Sequence, residues 1–134
     1  MGKLYRSREG TISAVDTKTQ LATLGSESAP GPLLVPSGAS KLEAIITAMA
    51  TSQAVAADGT MLARLEGPGL PEGPECVVVG SQGVAVATGG HGSRSAHRVD
   101  LDIPVTPGNE ILIYGENVGE DVGDTTIGVT LIFA

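Results

Sequence analysis

A chain of 134 residues with a net charge of −7 has the length of one domain, and its core must be aliphatic, because it holds one Phe, two Tyr and no Trp. The acidic balance excludes nucleic acid as the main partner, since such binders need Lys/Arg stripes or stacking aromatics. The lone Cys76 excludes an intrachain disulfide and fits assembly in a reducing cytosol, and no apolar run approaches the roughly 18 residues of a membrane helix.

The 19 Gly and 8 Pro fall largely in short clusters between apolar runs, the punctuation of an all-β sandwich or barrel. Met1–Gly10 is polar and basic and leads into no apolar stretch, so it reads as an extended N-terminal arm or a short edge strand and not as a secretory signal. Thr11–Val15 and Leu21–Leu24 are short strand candidates around Asp16-Thr17-Lys18-Thr19. Gly25–Gly38 contains three prolines and reads as a loop holding an extended Leu33-Leu34-Val35.

Lys41–Ser52 supports two readings. Ser40 with Glu43 could cap a helix. The segment also alternates, with Leu42, Ala44, Ile46, Ala48 and Ala50 on one face, and its Ile and Thr residues favour a strand, which is the reading adopted. Asp58-Gly59 marks a turn into a strand at Thr60–Glu66, and Gly67–Pro74 is a loop. Glu75–Val79 and Val84–Thr88 read as a hairpin about Gly80-Ser81-Gln82-Gly83, followed by a flexible Gly89–Ser95. Arg98–Ile103 alternates polar and apolar, Pro107-Gly108-Asn109 turns, and Glu110–Tyr114 restarts. Thr125–Phe133 places Ile127, Val129, Leu131 and Phe133 on one face. The sum is a jelly-roll-like β-sandwich of about seven to nine strands over 11–134, preceded by an arm at 1–10.

Charge is unevenly placed. From Val99 onward there are seven acids (Asp100, Asp102, Glu110, Glu116, Glu120, Asp121, Asp124) and no Lys or Arg, while the first 98 residues hold eight of each sign. The loop with Glu116, Glu120, Asp121 and Asp124 could offer oxygens to a hard cation, but it lacks EF-hand spacing and reads as a solvated acidic turn. His91 and His97 have only Cys76 as a further soft ligand, too few for zinc. Ser93 or Ser95 with His97 and Asp100 would make a triad on paper, without a Gly-x-Ser-x-Gly elbow. The expectation is a chain without catalysis, cofactor or metal.

The basic arm is the candidate site. Lys3, Tyr5, Arg6 and Arg8 are read as partner-binding, with Tyr5 beside Arg6 as the anchor, because Tyr and Arg dominate interface energetics. Basic arm and acidic tail could pair between neighbouring subunits. On that reading, deleting residues 1–9 leaves the fold intact and abolishes assembly.

The strand KLEAIITAMATS, the strand MLARLEG after Asp58-Gly59-Thr60, and the ending VDLDIPVTPGNEILIYGENVGEDVGDTTIGVTLIFA resemble tailed-phage capsid decoration (cement) proteins in architecture. The resemblance implies a compact β-domain, often trimeric, that staples neighbouring major capsid subunits on the outside of a virion assembled in the host cytoplasm. It transfers no signature residue. The rival is a ligand- or carbohydrate-binding β-sandwich module or receptor-binding tip, which would want more exposed aromatics than this chain's three.

Overall fold

In the computed structural model, the described residues are 2–12, 17, 19–23, 32–51, 59–68, 70, 77–83, 94–118 and 125–134. They form strands and turns without helix. The strands are β1 (Leu4–Ile12), β2 (Thr19–Gln20), β3 (Ala22–Thr23), β4 (Leu33–Leu34), β5 (Lys41–Thr51), β6 (Gly59–Glu66), β7 (Val77–Gly83), β8 (Arg94–Pro104), β9 (Glu110–Val118) and β10 (Thr125–Phe133).

Two antiparallel sheets face each other. Sheet 1 has the order β3-β1-β10-β5-β8, and sheet 2 the order β2-β9-β6-β7 with β4 also on β9. The pairs nest: β1 with β10, β4 with β9, β5 with β8, β6 with β7. A long antiparallel ribbon folded over on itself produces this order, and it is the strand plan of a jelly roll. The two-residue strands β2 and β3 are additions to that eight-strand plan.

The core lies between the sheets and is aliphatic with one aromatic. Phe133, Ile12, Leu21, Leu33, Leu42, Ile45, Leu65, Ile111, Ile113, Ile127 and Leu131 are all less than 2 % exposed. The alternation of β10 delivers three of these, Ile127, Leu131 and Phe133, together with buried Val129, as its sequence pattern requires.

Lys41–Ser52 is a strand to Thr51, held on both sides by β10 and β8. Its register slips between Leu42 and Ala44 against both neighbours. Against β10, Glu43 is the extra residue of a β-bulge, while against β8 the extra residue is on β8, where Leu101 and Asp102 lie between the paired Asp100 and Ile103. Two turns close one end of the sandwich. Pro36-Ser37-Gly38-Ala39 and Thr106-Pro107-Gly108-Asn109 each put a glycine at φ 87° and close with a bond of 3.2 Å from the last amide to the first carbonyl. That φ is the reason for glycine at the third position of a type II turn. Val35 ties them together, donating to Asn109 O and accepting from Gly108 N, both at 2.9 Å.

One open reading is decided and two expectations change. Of arm and short edge strand, the two readings of Met1–Gly10, the strand holds from Leu4 on, paired with β10 over nine residues. It is held because its main chain completes the β10 ladder, whatever its polar side chains suggest. Gly80–Gly83 is not a hairpin turn, because β7 runs through it and pairs with Gly59–Leu62 of β6. β8 begins at Arg94, inside the segment read as a flexible loop. Val84–Thr88 lies outside the described residues.

Candidate partner-binding surfaces

The alternation of β1 splits the four expected partner-binding residues between two faces. Tyr5, Ser7 and Glu9 stand opposite Ile132, Thr130 and Gly128, which point away from the core. Leu4, Arg6 and Arg8 stand opposite the core residues Phe133, Leu131 and Val129. Tyr5 and Arg6 are therefore on opposite sides of sheet 1. Lys3 continues the outward row and reaches the bulge residue Glu43, Nζ to Oε1 at 2.9 Å.

The outward face of sheet 1 can be read rung by rung across four strands. Tyr5, Ile132, Ala44 and Asp100 form one rung, Ser7, Thr130, Ile46 and Arg98 the next, and Glu9, Gly128, Ala48 and Ala96 the third. Ala, Gly, Thr and Ile fill the centre. Ile132 and Ala44 of the first rung are already buried, so the accessible low-relief part is that of Thr130, Ile46, Gly128 and Ala48. Polar groups at the margins are engaged locally. The hydroxyls of Ser7 and Thr130 meet at 2.8 Å, and Arg98 Nε donates to Asp100 Oδ1 at 3.1 Å. Tyr5 rises from this face with 56 % of its surface exposed, where a buried-interface role would place it.

Arg6 and Arg8 lie on the core side of β1 at the margin of the described sandwich. Arg6 Nη1 donates to Tyr5 O, and Arg8 Nη1 to Ser7 O, each at 2.9 Å. Arg8 Nη2 reaches across to Pro32 O at 3.4 Å, just before β4 of the other sheet. These partners are main-chain carbonyls, and no carboxylate among the described residues pairs with either guanidinium. Burial first, and then the Arg6 charge, lower the Arg8 pKa from the usual arginine value. Arg8 Nε is buried without a hydrogen-bond partner.

Sequence reading missed a polar cluster on the outward face of sheet 2. There Arg64 stands opposite Tyr114, and its Nε lies 3.1 Å from Glu116 Oε1. Its signal was the i, i+2 spacing of Tyr114 and Glu116 on a strand, legible only once Arg64 is in register. Glu116 thus belongs to an ion pair, while Glu120, Asp121 and Asp124 of the acidic loop lie outside the described residues. The paper triad does not assemble, because His97 faces Thr47 on the core side and Asp100 faces Ala44 on the outward side. His91, Ser93 and Cys76 lie outside the described residues. Among the described residues there is no group of three or more His, Cys, Asp or Glu side chains able to hold a metal.

No protein-family model matches the sequence, and no curated protein is similar to it. Among solved structures, the chain is similar to the Eiger TNF of S. frugiperda at 9 % identity, covering 95 % of this chain and 92 % of that one, with a TM-score of 0.37. It is also similar to a chain of the infectious bursal disease virus Gt strain structure at 15 % identity, covering 96 % of this chain and 32 % of that one, with a TM-score of 0.35. The fold assignment therefore rests on the strand order of the chain itself: an all-β jelly-roll-like sandwich.

Proposed function

We propose that this chain is a non-catalytic structural protein of a virion, decorating the outer surface of a capsid and bridging neighbouring major capsid subunits, as a trimer assembled in the host cytoplasm. The observation that supports this reading best is the outward face of sheet 1, small-residued where Thr130, Ile46, Gly128 and Ala48 are accessible, with exposed Tyr5 at its margin. A low-relief pleated face lets another protein approach closely over a broad area, and a flanking Tyr gives it an anchor.

Size sets a condition on this reading. Four strands about 4.8 Å apart and roughly 20 Å long give a face of about 400 Å², near half of what a standard interface takes per partner. A second contact must therefore help in any stable assembly.

The test is co-sedimentation with undecorated capsid shells of the parent virus. The wild-type protein is expected to pellet with the shells, and Tyr5→Ala to attach about tenfold more weakly, a loss of roughly 1.4 kcal/mol, with its melting temperature nearly unchanged. Undiminished attachment of Tyr5→Ala, or no attachment of the wild type, would overturn the reading.

A further inference from the structure

We infer that copies of this chain join head to tail, with Arg6 and Arg8 at one edge of sheet 1 taking the carboxylates of Asp100 and Asp102 from the opposite edge of the next copy. This rests on the trimeric reading above and names a contact that closes it.

The two pairs match in spacing. Arg6 and Arg8 share one face of β1, and Asp100 and Asp102 share one face of β8, since Leu101 and Ile103 between and beside them pack toward the core. Residues two apart on a strand lie about 6.8 Å apart, so two guanidinium groups can meet two carboxylates at similar spacing, with the register slip of β8 falling beside Asp102.

The two pairs also differ in what they lack. Among the described residues both arginines hold only main-chain carbonyls, and the buried Arg8 Nε has no partner. Two adjacent cations left in this state attract an anion, the more so when one is partly desolvated. The carboxylates are available to give. The Asp100 side chain is 82 % exposed and its partner is Arg98, and the Asp102 side chain is 85 % exposed with Lys41 at 3.9 Å. Exposed pairs of this kind contribute little, and each carboxylate keeps acceptor capacity for a second donor.

Place in the fold supplies the geometry of assembly. Among the described strands β8 is at the edge of sheet 1, with β5 beside it. At the other edge, among the described residues, β3 pairs with Arg8 and Glu9 of β1 and with neither Arg6 nor Ser7. Donor and acceptor patches are thus different surfaces at opposite edges of one sheet. Such a contact is heterologous, and heterologous contacts that close make rings such as trimers. A two-fold dimer through this edge would instead set arginine against arginine. For a protein of net charge −7, pairing one copy's acids with the next copy's bases also offsets repulsion between copies.

The test is sedimentation equilibrium of four purified proteins: wild type, Asp100→Lys/Asp102→Lys, Arg6→Glu/Arg8→Glu, and the quadruple variant carrying both exchanges. The expected result is a trimeric wild type whose association weakens between about 50 mM and about 500 mM salt. Each double variant should associate about tenfold or more weakly, and the quadruple variant, with every contact restored in reverse, should regain the trimer. If the double variants associate like the wild type, this contact is wrong and the trimer stands on another. If the wild type is monomeric throughout, both this contact and the trimer fall, while capsid attachment is still decided by the Tyr5 assay. Should Arg8→Glu prevent folding, the Asp100→Lys/Asp102→Lys variant alone decides, because both of its sites are on exposed side chains.

Discussion

Lys3 and Glu43 meet at 2.9 Å and join the start of β1 to the bulge of β5, passing over the β10 strand that lies between them in sheet 1. The Lys3 and Glu43 side chains are 48 % and 26 % exposed, so water and salt screen the pair. Lys3→Ala is therefore expected to cost less than about 1 kcal/mol in urea unfolding, with the loss shrinking as salt is added. A loss of several kcal/mol would show that Glu43 is left as an uncompensated buried charge.

Removing residues 1–9 should do far more. The deletion strips β10 of most of a nine-residue pairing partner and uncovers core positions such as Leu131 and Phe133. The truncated chain is expected to lose its cooperative thermal transition, followed by circular dichroism. A sharp transition near that of the full chain would mean that sheet 1 closes without β1. This deletion consequently cannot separate assembly from folding, which is why point substitutions carry the tests above.

Thr47 is fully buried, and its Oγ1 finds no partner among the described residues. It stands opposite Val129 on the core side of β5. A buried hydroxyl without a partner costs about 1–3 kcal/mol in protein interiors. Thr47→Val keeps the shape and removes the orphaned group, so it should raise stability by about 1 kcal/mol in denaturant titration, whereas a drop would reveal a partner for the hydroxyl.

Gly67 follows β6 at φ 110°, and a Cβ there would come within 2.9 Å of the Glu110 carbonyl oxygen. Both the backbone conformation and a close main-chain neighbour oppose any side chain. Gly67→Ala is expected to destabilise the fold by about 1–3 kcal/mol. Gly108→Ala makes the comparison, since a Cβ there meets nothing within 4 Å and only its φ of 87° is opposed. The Gly67 variant should be the less stable of the two when their melting temperatures are compared.

The fold was largely legible where side chains alternate and one face is buried. Thr125–Phe133 declares itself, because burial selects the apolar set that alternation puts inward. Lys41–Thr51 was legible as a strand but not in its faces: the irregularity at Glu43 breaks the alternation, so Leu42, Ile45 and Thr47 turn inward while Ala44, Ile46 and Ala48, read on the same face as Leu42, turn outward. Leu4–Ile12 was legible only as an alternative to an arm, because only its two end residues, Leu4 and Ile12, are large and aliphatic, while Arg6 and Arg8 take the inward positions between them. Val77–Gly83 hid because Gly80 and Gly83 look like turn residues, although they lie in a ladder that main-chain pairing alone maintains.

The candidate site was legible in composition and not in arrangement. Lys3, Tyr5, Arg6 and Arg8 are neighbours in sequence, but a strand sends successive side chains to opposite faces. Likewise the pairing of Lys3 with Glu43, and of Arg64 with Glu116, depends on register between distant strands, which local sequence does not encode.

The position of β10 between β1 and β5 also governs how the chain can fold. Sheet 1 has no continuous ladder until Thr125–Phe133 slides between Leu4–Ile12 and Lys41–Thr51, both of which are synthesised long before it. Until then those two strands present unsatisfied edges to any neighbouring chain. Loop closure over such sequence distances is slow. Insertion of the last strand is therefore the expected rate-limiting event of refolding, and the interval before it is when nascent copies are most prone to aggregate.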